Sequence, residues 1–372
     1  MTPIEGLDVS VYRVPTDLPE ADGTLAWDAT TLVLAEPVAG GQVGVGFTYS
    51  SRASATVIVD HLREVVVGRD VEETGTCWEA MVRAIRNFGR PGVVSAAIAA
   101  VDLALWDLKA KVVGVSLAEL LGPAREAAPI YGSGGFTTYT IEQLREQLGG
   151  WIDHGMSDVK MKIGGDWGRH PAVDLGRVAA ARDAIGAEAG LFVDANGAYT
   201  RKQAIRLARH LRERGVTWFE EPVSSDDLSG LRVVRDRSDV DVAAGEYGYD
   251  LVYFERMCAA GAVDVLQADV TRCAGLTEWL RVAAVADAHG LELSGHCAPS
   301  MHLAPACAIR NLRHLEYFHD HVRLERALFD GVSTPENGSL RPDLTRPGNG
   351  LEFKRSTAEQ FLVDTTARSN AS

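Results

Sequence analysis

Hydrophobic and polar positions divide the chain into an N-terminal part and a longer part with a different period. Apolar and polar residues alternate over 7–15 and 30–50, which predicts two regions of β-strand. The polar, turn-rich segment 16–29 between them is predicted to be a mobile loop. Helical spacing of apolar residues follows in three segments, 54–68, 77–89 and 94–114. A mixed domain of strands and helices is therefore predicted over residues 1–125.

In the longer part, strand-like segments alternate with helical ones. The repeat is roughly 25 residues, which is typical of βα units and a parallel sheet. The eight strand-like segments are 128–134, 158–164, 190–196, 217–222, 241–246, 263–270, 291–296 and 312–318. This number favours a closed barrel over an open sheet, and the absence of a GxGxxG motif after the first strand disfavours a dinucleotide-binding fold. The barrel is predicted over 126–331, and 332–372 is predicted to pack back onto the first domain.

Acidic residues mark the ends of three consecutive predicted strands. Asp194, Glu220 and Glu246 follow one another at intervals of 26 residues, in step with the βα repeat. Catalytic groups in such barrels come from the carboxyl ends of the strands, so these side chains are expected to converge at one mouth. Three clustered carboxylates repel one another, and Mg²⁺, which prefers oxygen ligands, relieves that repulsion. Salt bridges to facing lysines are the alternative explanation.

The FEEP motif places two glutamates side by side at one of these strand ends. Alternation along a strand turns the side chains of Glu220 and Glu221 to opposite faces. The spacing assigns Glu220 to the metal, and Glu221 is expected to support the site by pairing with a neighbouring cation such as Lys162. Asn196, in the VDAN motif, is assigned a similar supporting position.

Two lysines alternate within one predicted strand. Lys160 and Lys162 therefore point to the same face. If that face is the barrel interior, one ammonium can neutralise a substrate carboxylate. The other can act as a base, with its pKa lowered by the metal and by the neighbouring lysine. A surface strand with two solvated lysines fits the same spacing, so the alternation leaves both interpretations open.

The last strands supply a carboxylate–histidine pair and a further acid. Asp269 and His296 lie 27 residues apart at successive strand ends. A carboxylate that binds one imidazole nitrogen fixes the tautomer and makes the other nitrogen more basic, so His296 is a candidate base. Glu316 is expected to be a hydrogen-bond donor or acid toward a substrate carboxylate, which requires a raised pKa. Further polar residues near the mouth are candidate substrate contacts: Arg272, His302, His319 and His321.

Composition narrows the possible function classes. Hydrophobic residues make up 46% and charged residues 24% of the 372, as in an ordinary globular enzyme. The net charge of −14 and the lack of a basic run argue against nucleic acid and anionic membranes as partners. The five cysteines form no CxxC pair, and the N-terminal segment has neither a basic start nor an apolar core. A reduced, cytoplasmic protein is predicted.

Together these motifs resemble the enolase superfamily, in its mandelate racemase subgroup. The resemblance covers nearly the whole chain and rests on KMK, VDAN, FEEP, AGE, QADVTRCAG, SGH and HLEYF, and on segments 96–122 and 346–353. It implies a modified TIM barrel, (β/α)₇β, with an α+β capping domain built from both termini. We also expect a homo-oligomer.

The resemblance further implies a role for each strand-end residue. The ligands of Mg²⁺ are expected to be Asp194, Glu220 and Glu246. Lys162 is expected to be the base on one face of the substrate, and His296, oriented by Asp269, the acid or base on the other. Lys160 and Glu316 are expected to attend the substrate carboxylate and the enolate that develops from it.

The shared step is removal of the proton α to a carboxylate. The favoured function is dehydration of an acid sugar to a 2-keto-3-deoxy acid, and a racemase, epimerase or lactone cycloisomerase is the alternative. A metal-binding barrel without catalysis ranks below both. Branches of the superfamily with a lysine at the sixth barrel strand are disfavoured, because Asp269 stands there. Specificity is expected to reside in the capping segments 16–29 and 47–54.

Overall fold

The N-terminal domain is built on an antiparallel sheet. The computed structural model of the protein describes residues 1–366, and residues 367–372 of the predicted C-terminal segment lie outside that range. The strands are β1 (Gly6–Ala21), β2 (Ala26–Ala39), β3 (Gln42–Val43) and β4 (Gly46–Tyr49). β1 and β2 form a long hairpin, and β3 and β4 both pair with β2.

The prediction of a mobile loop over residues 16–29 is wrong for most of these residues. β1 continues to Ala21 and β2 begins at Ala26, so only a short turn separates the two strands. The ladder shifts register between Pro15 and Glu20. Pro15 and Pro19, which have no backbone N–H to donate, lie at this irregularity, and the segment 16–20 lacks the apolar–polar alternation that marks a strand in the sequence. The hairpin therefore reaches far beyond the segments predicted as strands.

The helices of the N-terminal domain, except the last, cover one face of this sheet. They are α1 (Ala53–Val57), a π-helical turn (Ile58–Leu62), α2 (Arg63–Val66), α3 (Thr74–Ala84), α4 (Val93–Val113) and α5 (Leu117–Leu121). The last, α5, packs against α4 and against the barrel helix Pro299–Ala308. Helix α4 is apolar on nearly all sides and almost entirely buried, because it lies between the sheet and the second domain. Among residues 1–366, no helix has the length and apolar character needed to cross a membrane.

The second domain is a closed parallel barrel, as predicted. Its strands are β5 (Ala128–Gly134), β6 (Asp158–Lys162), β7 (Gly190–Asp194), β8 (Val216–Glu220), β9 (Asp241–Ala244), β10 (Val265–Ala268), β11 (Glu292–Gly295) and β12 (Leu312–Phe318). They pair in sequence order, and β12 closes the barrel on β5. Seven of them lie within a segment predicted as a strand, and β8 begins one residue before its predicted segment 217–222.

Helices form the outer layer, and all but the last, which follows β12, connect consecutive barrel strands. They are α6 (Ile141–Asp153), α7 (Gly165–Gly168), α8 (Pro171–Ile185), α9 (Arg201–Arg212), α10 (Leu228–Arg235), α11 (Leu251–Ala259), α12 (Leu276–Ala288), α13 (Pro299–Ala308) and α14 (His319–Leu328). The start of α6 is fixed by a capping box, in which Thr140 and Gln143 satisfy each other's backbone N–H groups. The architecture is the modified TIM barrel with a capping domain.

The C-terminal segment returns to the N-terminal domain. Its elements are β13 (Phe329–Asp330), β14 (Ser339–Leu340), β15 (Glu352–Phe353), α15 (Arg355–Ala358), a 3₁₀ turn (Glu359–Phe361) and β16 (Leu362–Thr366). β16 pairs with β1 in the antiparallel sheet. Asp107 of α4 accepts hydrogen bonds from the backbone N–H groups of Val45 (2.7 Å) and Asn349 (2.6 Å). One buried carboxylate thus holds the cap sheet, the long helix and the C-terminal segment together.

Close packing of β4 against α4 depends on a glycine. A Cβ atom at Gly46 would lie 2.3 Å from the backbone nitrogen of Ala104 and 2.4 Å from the carbonyl oxygen of Ala100. Both atoms belong to the helix backbone and cannot rotate away. The sheet and the helix therefore approach more closely than any larger residue allows.

We predict that Gly46→Ala destabilises the fold by about 1–3 kcal/mol through overpacking. The matched control is Gly150→Ala in α6, where an added Cβ meets nothing within 4 Å. That change is expected to stabilise the protein by up to about 1 kcal/mol, because alanine favours the helix more than glycine does. Urea unfolding followed by circular dichroism measures both. Equal effects of the two substitutions would contradict the role assigned to Gly46.

Candidate active site

An apolar layer inside the barrel forms the floor of the candidate site. Phe192 and Trp218 lie two residues before Asp194 and Glu220, so each pair faces the barrel interior on the same side of its strand. The rings of Phe192 and Trp218 stack with centroids 5.3 Å apart, and Tyr131 packs edge-on against Phe192. Water is excluded below the carboxylates, and the electrostatic interactions above this floor are therefore strong.

The three predicted metal ligands converge above this floor. Asp194, Glu220 and Glu246 are buried, and one carboxylate oxygen from each lies within 4.8 Å of the others. Asp194 and Glu220 are direct neighbours in the register of β7 and β8. Burial and the charge of Asp194 raise the pKa of Glu220 to about 8. The repulsion expected from the sequence is present.

Glu246 reaches the cluster through an unusual backbone conformation. Gly245, which follows β9, has a φ of 140°, and a Cβ there would lie 1.9 Å from the carbonyl oxygen of Gln267. Only glycine fits this position, which lies between β9 and β10. In the AGE motif, the glycine is therefore required for the backbone conformation that directs the side chain of the following Glu246 into the cluster.

Lys160 lies deep in the barrel and outside the cavity. Its ammonium group is fully buried and contacts Glu220 at 2.6 Å and Glu316 at 2.8 Å. Burial lowers its pKa, but the charges of Glu220 and Glu316 outweigh this and the net pKa is raised. Both lysines face the barrel interior, which is one of the two interpretations that their alternation left open. Lys160 holds two carboxylates in place.

Lys162 lines the cavity and forms an ion pair with Asp194. Burial lowers the pKa of its ammonium group, the charge of Asp194 raises it, and the net shift is upward. We expected a lowered pKa. In this arrangement the nearby carboxylate outweighs both burial and the charge of Lys160.

His296 and Asp269 form the predicted pair. Nδ1 of His296 lies 2.9 Å from Oδ2 of Asp269, and Nε2 lies 3.3 Å from Oε2 of Glu246. The ring is thus fixed by one carboxylate and directed toward a second. Burial lowers its pKa, but the neighbouring Cys297 and Glu246 raise it to a net value well above the usual range.

The prediction of a raised pKa for Glu316 is wrong. Its carboxylate accepts hydrogen bonds from Ser133 Oγ at 2.6 Å and from the backbone N–H of Cys297 at 2.9 Å. Burial raises its pKa, but Lys160 and His296 lower it far more, so the carboxylate is ionised. Glu316 therefore accepts hydrogen bonds and does not donate a proton.

The predicted ion pair between Glu221 and Lys162 is also absent from the described residues. Glu221 lies just beyond β8 with a left-handed backbone (φ 38°), and its Oε1 is buried without a hydrogen-bond partner. Burial and the charge of Glu246 raise its pKa well above the usual range. Asn196 is left-handed too (φ 44°), and its backbone N–H donates to Asp194 at 2.9 Å. The backbone of Asn196 thus contacts a candidate ligand directly, and the supporting role predicted for its side chain stays a prediction.

A cavity of about 360 Å³ lies between the barrel mouth and the capping hairpin. The barrel contributes Lys162, Asn196, Glu246, Arg272, His296 and His321 to its lining. The cap contributes Leu25, Trp27, Thr30, Thr31, Tyr49 and Ser50. Both predicted specificity segments therefore reach the cavity.

The candidate substrate contacts separate into two groups. Arg272 and His321 line the cavity, and Arg272 lies 3.4 Å from Glu246 and 3.5 Å from Asp269. His302 is fully buried behind the wall, where its Nε2 accepts the backbone N–H of Val270 at 2.9 Å. The assignment of His302 to substrate is therefore wrong. His319 lies outside the lining and pairs with Asp17 at 3.0 Å.

Two residues that line the cavity were not among the site residues predicted from the sequence. Cys297 follows the SGH motif directly and has a left-handed backbone (φ 51°) that turns it into the cavity. Tyr247 follows the AGE motif and packs over Arg272, whose guanidinium carbon lies 5.6 Å from its ring centroid. The position immediately after each strand-end motif could have identified both.

The donor set fits a divalent cation. Its three carboxylates supply only oxygen ligands, which suits Mg²⁺. Glu246 Oε2 is buried and makes no hydrogen bond despite its distance of 3.3 Å from His296. A buried carboxylate oxygen without a donor is unfavourable unless a cation completes its surroundings.

The chain matches two family models that together span most of its length. Residues 11–122 match the N-terminal domain of the mandelate racemase/muconate lactonizing enzyme family, and residues 143–357 match the enolase C-terminal domain-like family. The chain belongs to the mandelate racemase/muconate lactonizing enzyme family of the enolase superfamily. The predicted resemblance is confirmed.

Two characterised relatives catalyse different reactions. The chain is 33% identical to L-talarate/galactarate dehydratase of Salmonella typhimurium over 74% of its own length and 69% of the relative's. It is 31% identical to 3,6-anhydro-alpha-L-galactonate cycloisomerase of Streptomyces coelicolor over 95% of its own length and 98% of the relative's. Dehydratases and cycloisomerases thus occur at similar identity.

Solved structures share the whole fold. A mandelate racemase/muconate lactonizing enzyme-like protein from Rubrobacter xylanophilus has a TM-score of 0.94 and 51% identity, covering 97% of this chain and all (100%) of that one. A racemase from Streptomyces coelicolor with bound magnesium has a TM-score of 0.91 and 29% identity, covering 97% of this chain and 100% of that one. Magnesium therefore occurs within this fold at comparable similarity.

We predict that Glu246→Gln weakens Mg²⁺ binding by at least about 10-fold, because it removes one anionic ligand. Isothermal titration calorimetry measures the affinity. The matched control is Glu325→Gln, since Glu325 is equally buried but binds Ser300 outside the cluster. This control should bind Mg²⁺ like the unchanged protein. Equal affinity for all three proteins would exclude Glu246 as a ligand.

Proposed function

We propose that the protein is a Mg²⁺-dependent lyase that dehydrates an acid sugar to a 2-keto-3-deoxy acid. The reaction begins with removal of the proton α to the substrate carboxylate. The same chemistry serves an isomerase when no β-hydroxyl leaves, so the enzyme is a lyase or, as the second candidate, an isomerase.

The placement of Lys162 and His296 carries this proposal. Both line one cavity, and each contacts a different member of the carboxylate cluster, Lys162 contacting Asp194 and His296 contacting Glu246. They stand at the ends of β6 and β11, separated by β5 and β12 on the shorter path around the barrel. A substrate bound beside the cluster is thus exposed to proton-transfer groups from two directions.

We assign the acceptance of the α proton to Lys162 as a free amine. The C–H electron pair moves into the carboxylate and forms an enediolate. The pair then returns as the β C–O bond breaks, and His296 donates a proton so that the hydroxyl leaves as water. The resulting enol gains a proton at the β carbon, loses the proton of its C2 hydroxyl and becomes the 2-keto-3-deoxy acid.

The remaining charged residues position these groups. Asp269 holds His296 through Nδ1 and leaves Nε2 directed toward the cavity. Lys160 bridges Glu220 and Glu316 from below, and both carboxylates thereby stay fixed. Mg²⁺ held by Asp194, Glu220 and Glu246 would supply positive charge for the developing enediolate and draw negative charge away from Lys162 and His296.

Lactone cycloisomerisation is the second candidate. It is supported by the cycloisomerase relative, which matches nearly the full length of both chains. That reaction would use the same α-proton step, so the two candidates differ in whether a hydroxyl leaves as water.

Incubation with Mg²⁺ and a panel of acid sugars and lactones in D₂O tests the proposal. Mass spectrometry should detect a 2-keto-3-deoxy acid, and NMR should follow exchange at the α carbon. Exchange or ring opening without keto acid would replace the lyase by the isomerase. No reaction with any member of the panel would contradict both candidates.

His296→Asn should lower kcat by about 10²–10⁴-fold, the contribution typical of a general acid or base. The matched control is His289→Asn, which changes an exposed histidine after α12 and should leave kcat unchanged. Circular dichroism establishes that both variants fold. Full turnover by His296→Asn would refute the role assigned to this histidine.

A further inference from the structure

We infer that the substrate carries a single carboxylate and that its far end, which contacts the cap, is uncharged. This inference rests on the proposed function and specifies its substrate class. It favours aldonic acids or their lactones over aldaric acids, which carry a carboxylate at both ends. The first relative described above is named for two aldarates, talarate and galactarate, so this chain would differ from it.

Within the part of the chain that the structure describes, the cap residues that line the cavity include no cationic side chain. Residues 14–51, which include both predicted specificity segments, contain neither lysine nor arginine. The hairpin tip instead carries four acids, Asp17, Glu20, Asp22 and Asp28. Arg52 is the next cation along the chain and lies outside the cavity lining.

The cations on the barrel side already face carboxylates. Lys162 pairs with Asp194, and Arg272 contacts both Glu246 and Asp269. His321 stacks on Tyr49 with ring centroids 3.6 Å apart, and burial lowers its pKa to about 3, so the ring is neutral. None of these groups offers an unpaired charge to a second substrate carboxylate at the cap.

The surroundings of the cap side are also acidic. Glu20 is buried and accepts a hydrogen bond from the Trp27 indole at 2.7 Å, and Asp320 accepts one from Thr30 at 2.5 Å. Asp22, in the cavity lining, accepts the backbone N–H groups of Thr24 and Leu25 in the hairpin turn. Burial raises the pKa of Glu20 to about 8, and Asp320 is paired with Arg323, so neither presents a full negative charge to the cavity. A second carboxylate would still meet the carboxylate of Asp22 in a site partly closed to water, which is unfavourable.

The cap offers neutral contacts in place of charge. Thr31 and Ser50 bring hydroxyl groups to the lining, and Leu25 is 65% exposed at its edge. Hydroxyl groups suit the hydroxyls of a sugar acid, and an apolar side chain suits a C–H face or a methyl group. A terminal hydroxymethyl group, a methyl group or a lactone ring fits this end of the cavity.

Matched pairs of hexonates and hexarates test this inference in the unchanged enzyme with Mg²⁺. Galactonate and galactarate form one such pair, because they differ only in whether the far carbon is a hydroxymethyl group or a carboxylate. We expect kcat/KM for the best hexonate to exceed that of its hexarate by on the order of 100-fold. Keto-acid formation and α-deuterium exchange in D₂O supply the rates.

Leu25→Arg tests the charge argument directly, since it adds a cation at the cavity edge without touching the barrel. It should raise kcat/KM for the hexarate at least about 10-fold, mainly through KM, and the hexonate should gain nothing. Leu25→Met is the neutral control and should leave the preference unchanged.

The outcomes separate this inference from the proposed function. Turnover of hexarates as fast as hexonates would overturn the inference while the dehydratase proposal stands. Galactarate turnover that disappears in Arg52→Ala would overturn it as well, by showing that a cap cation binds the far carboxylate. An equal response of both substrates to Leu25→Arg would refute the charge argument. No exchange with any acid would overturn the proposed function and this inference together.

Discussion

Repulsion among buried carboxylates is the interaction on which the rest of the site depends. Asp194, Glu220 and Glu246 converge in a space from which an aromatic floor excludes water, and like charges in such a medium interact strongly. Each has a cationic neighbour, and two of these neighbours, Lys160 and Lys162, come from a single strand. Charge balance therefore determines which side chains can stand at the barrel mouth. It also creates the demand for a divalent cation.

The two domains contribute different kinds of groups to the site. The barrel supplies the charged groups, whose positions are set by strand register and by the backbone at strand ends. The cap supplies a neutral or acidic surface opposite them, carried on a hairpin that extends from β1 and β2. Because the proton-transfer groups and the surface facing the substrate's far end belong to different domains, the recognised substrate can change while the charge balance remains intact.

Features of the site that follow the regular βα repeat or the strand alternation could be predicted from the sequence. The interval of 26 residues located Asp194, Glu220 and Glu246, and strand alternation placed both lysines on one face. Prediction from the sequence failed where contacts between residues far apart in the chain determine the ionisation or burial of a side chain. The ionised state of Glu316 depends on Lys160, more than 150 residues away, which no local pattern reveals. The left-handed backbone of Glu221 likewise breaks the alternation from which its ion pair was predicted, and burial of His302 depends on packing between α13 and the barrel.

The contact of Asp107 with the C-terminal segment has a consequence for the order in which the protein is made. Its buried carboxylate needs the backbone N–H of Asn349, and β1 needs β16 to complete the sheet. A ribosome delivers residue 107 long before residue 349, so the cap begins as an unfinished unit. Asp107 then has its ion pair with Lys111 but lacks the hydrogen bond from Asn349, and β1 has an unpaired strand edge. The barrel strands β5–β12, by contrast, have all been delivered once residue 318 is made. The N-terminal domain therefore gains β16 only after every barrel strand is available.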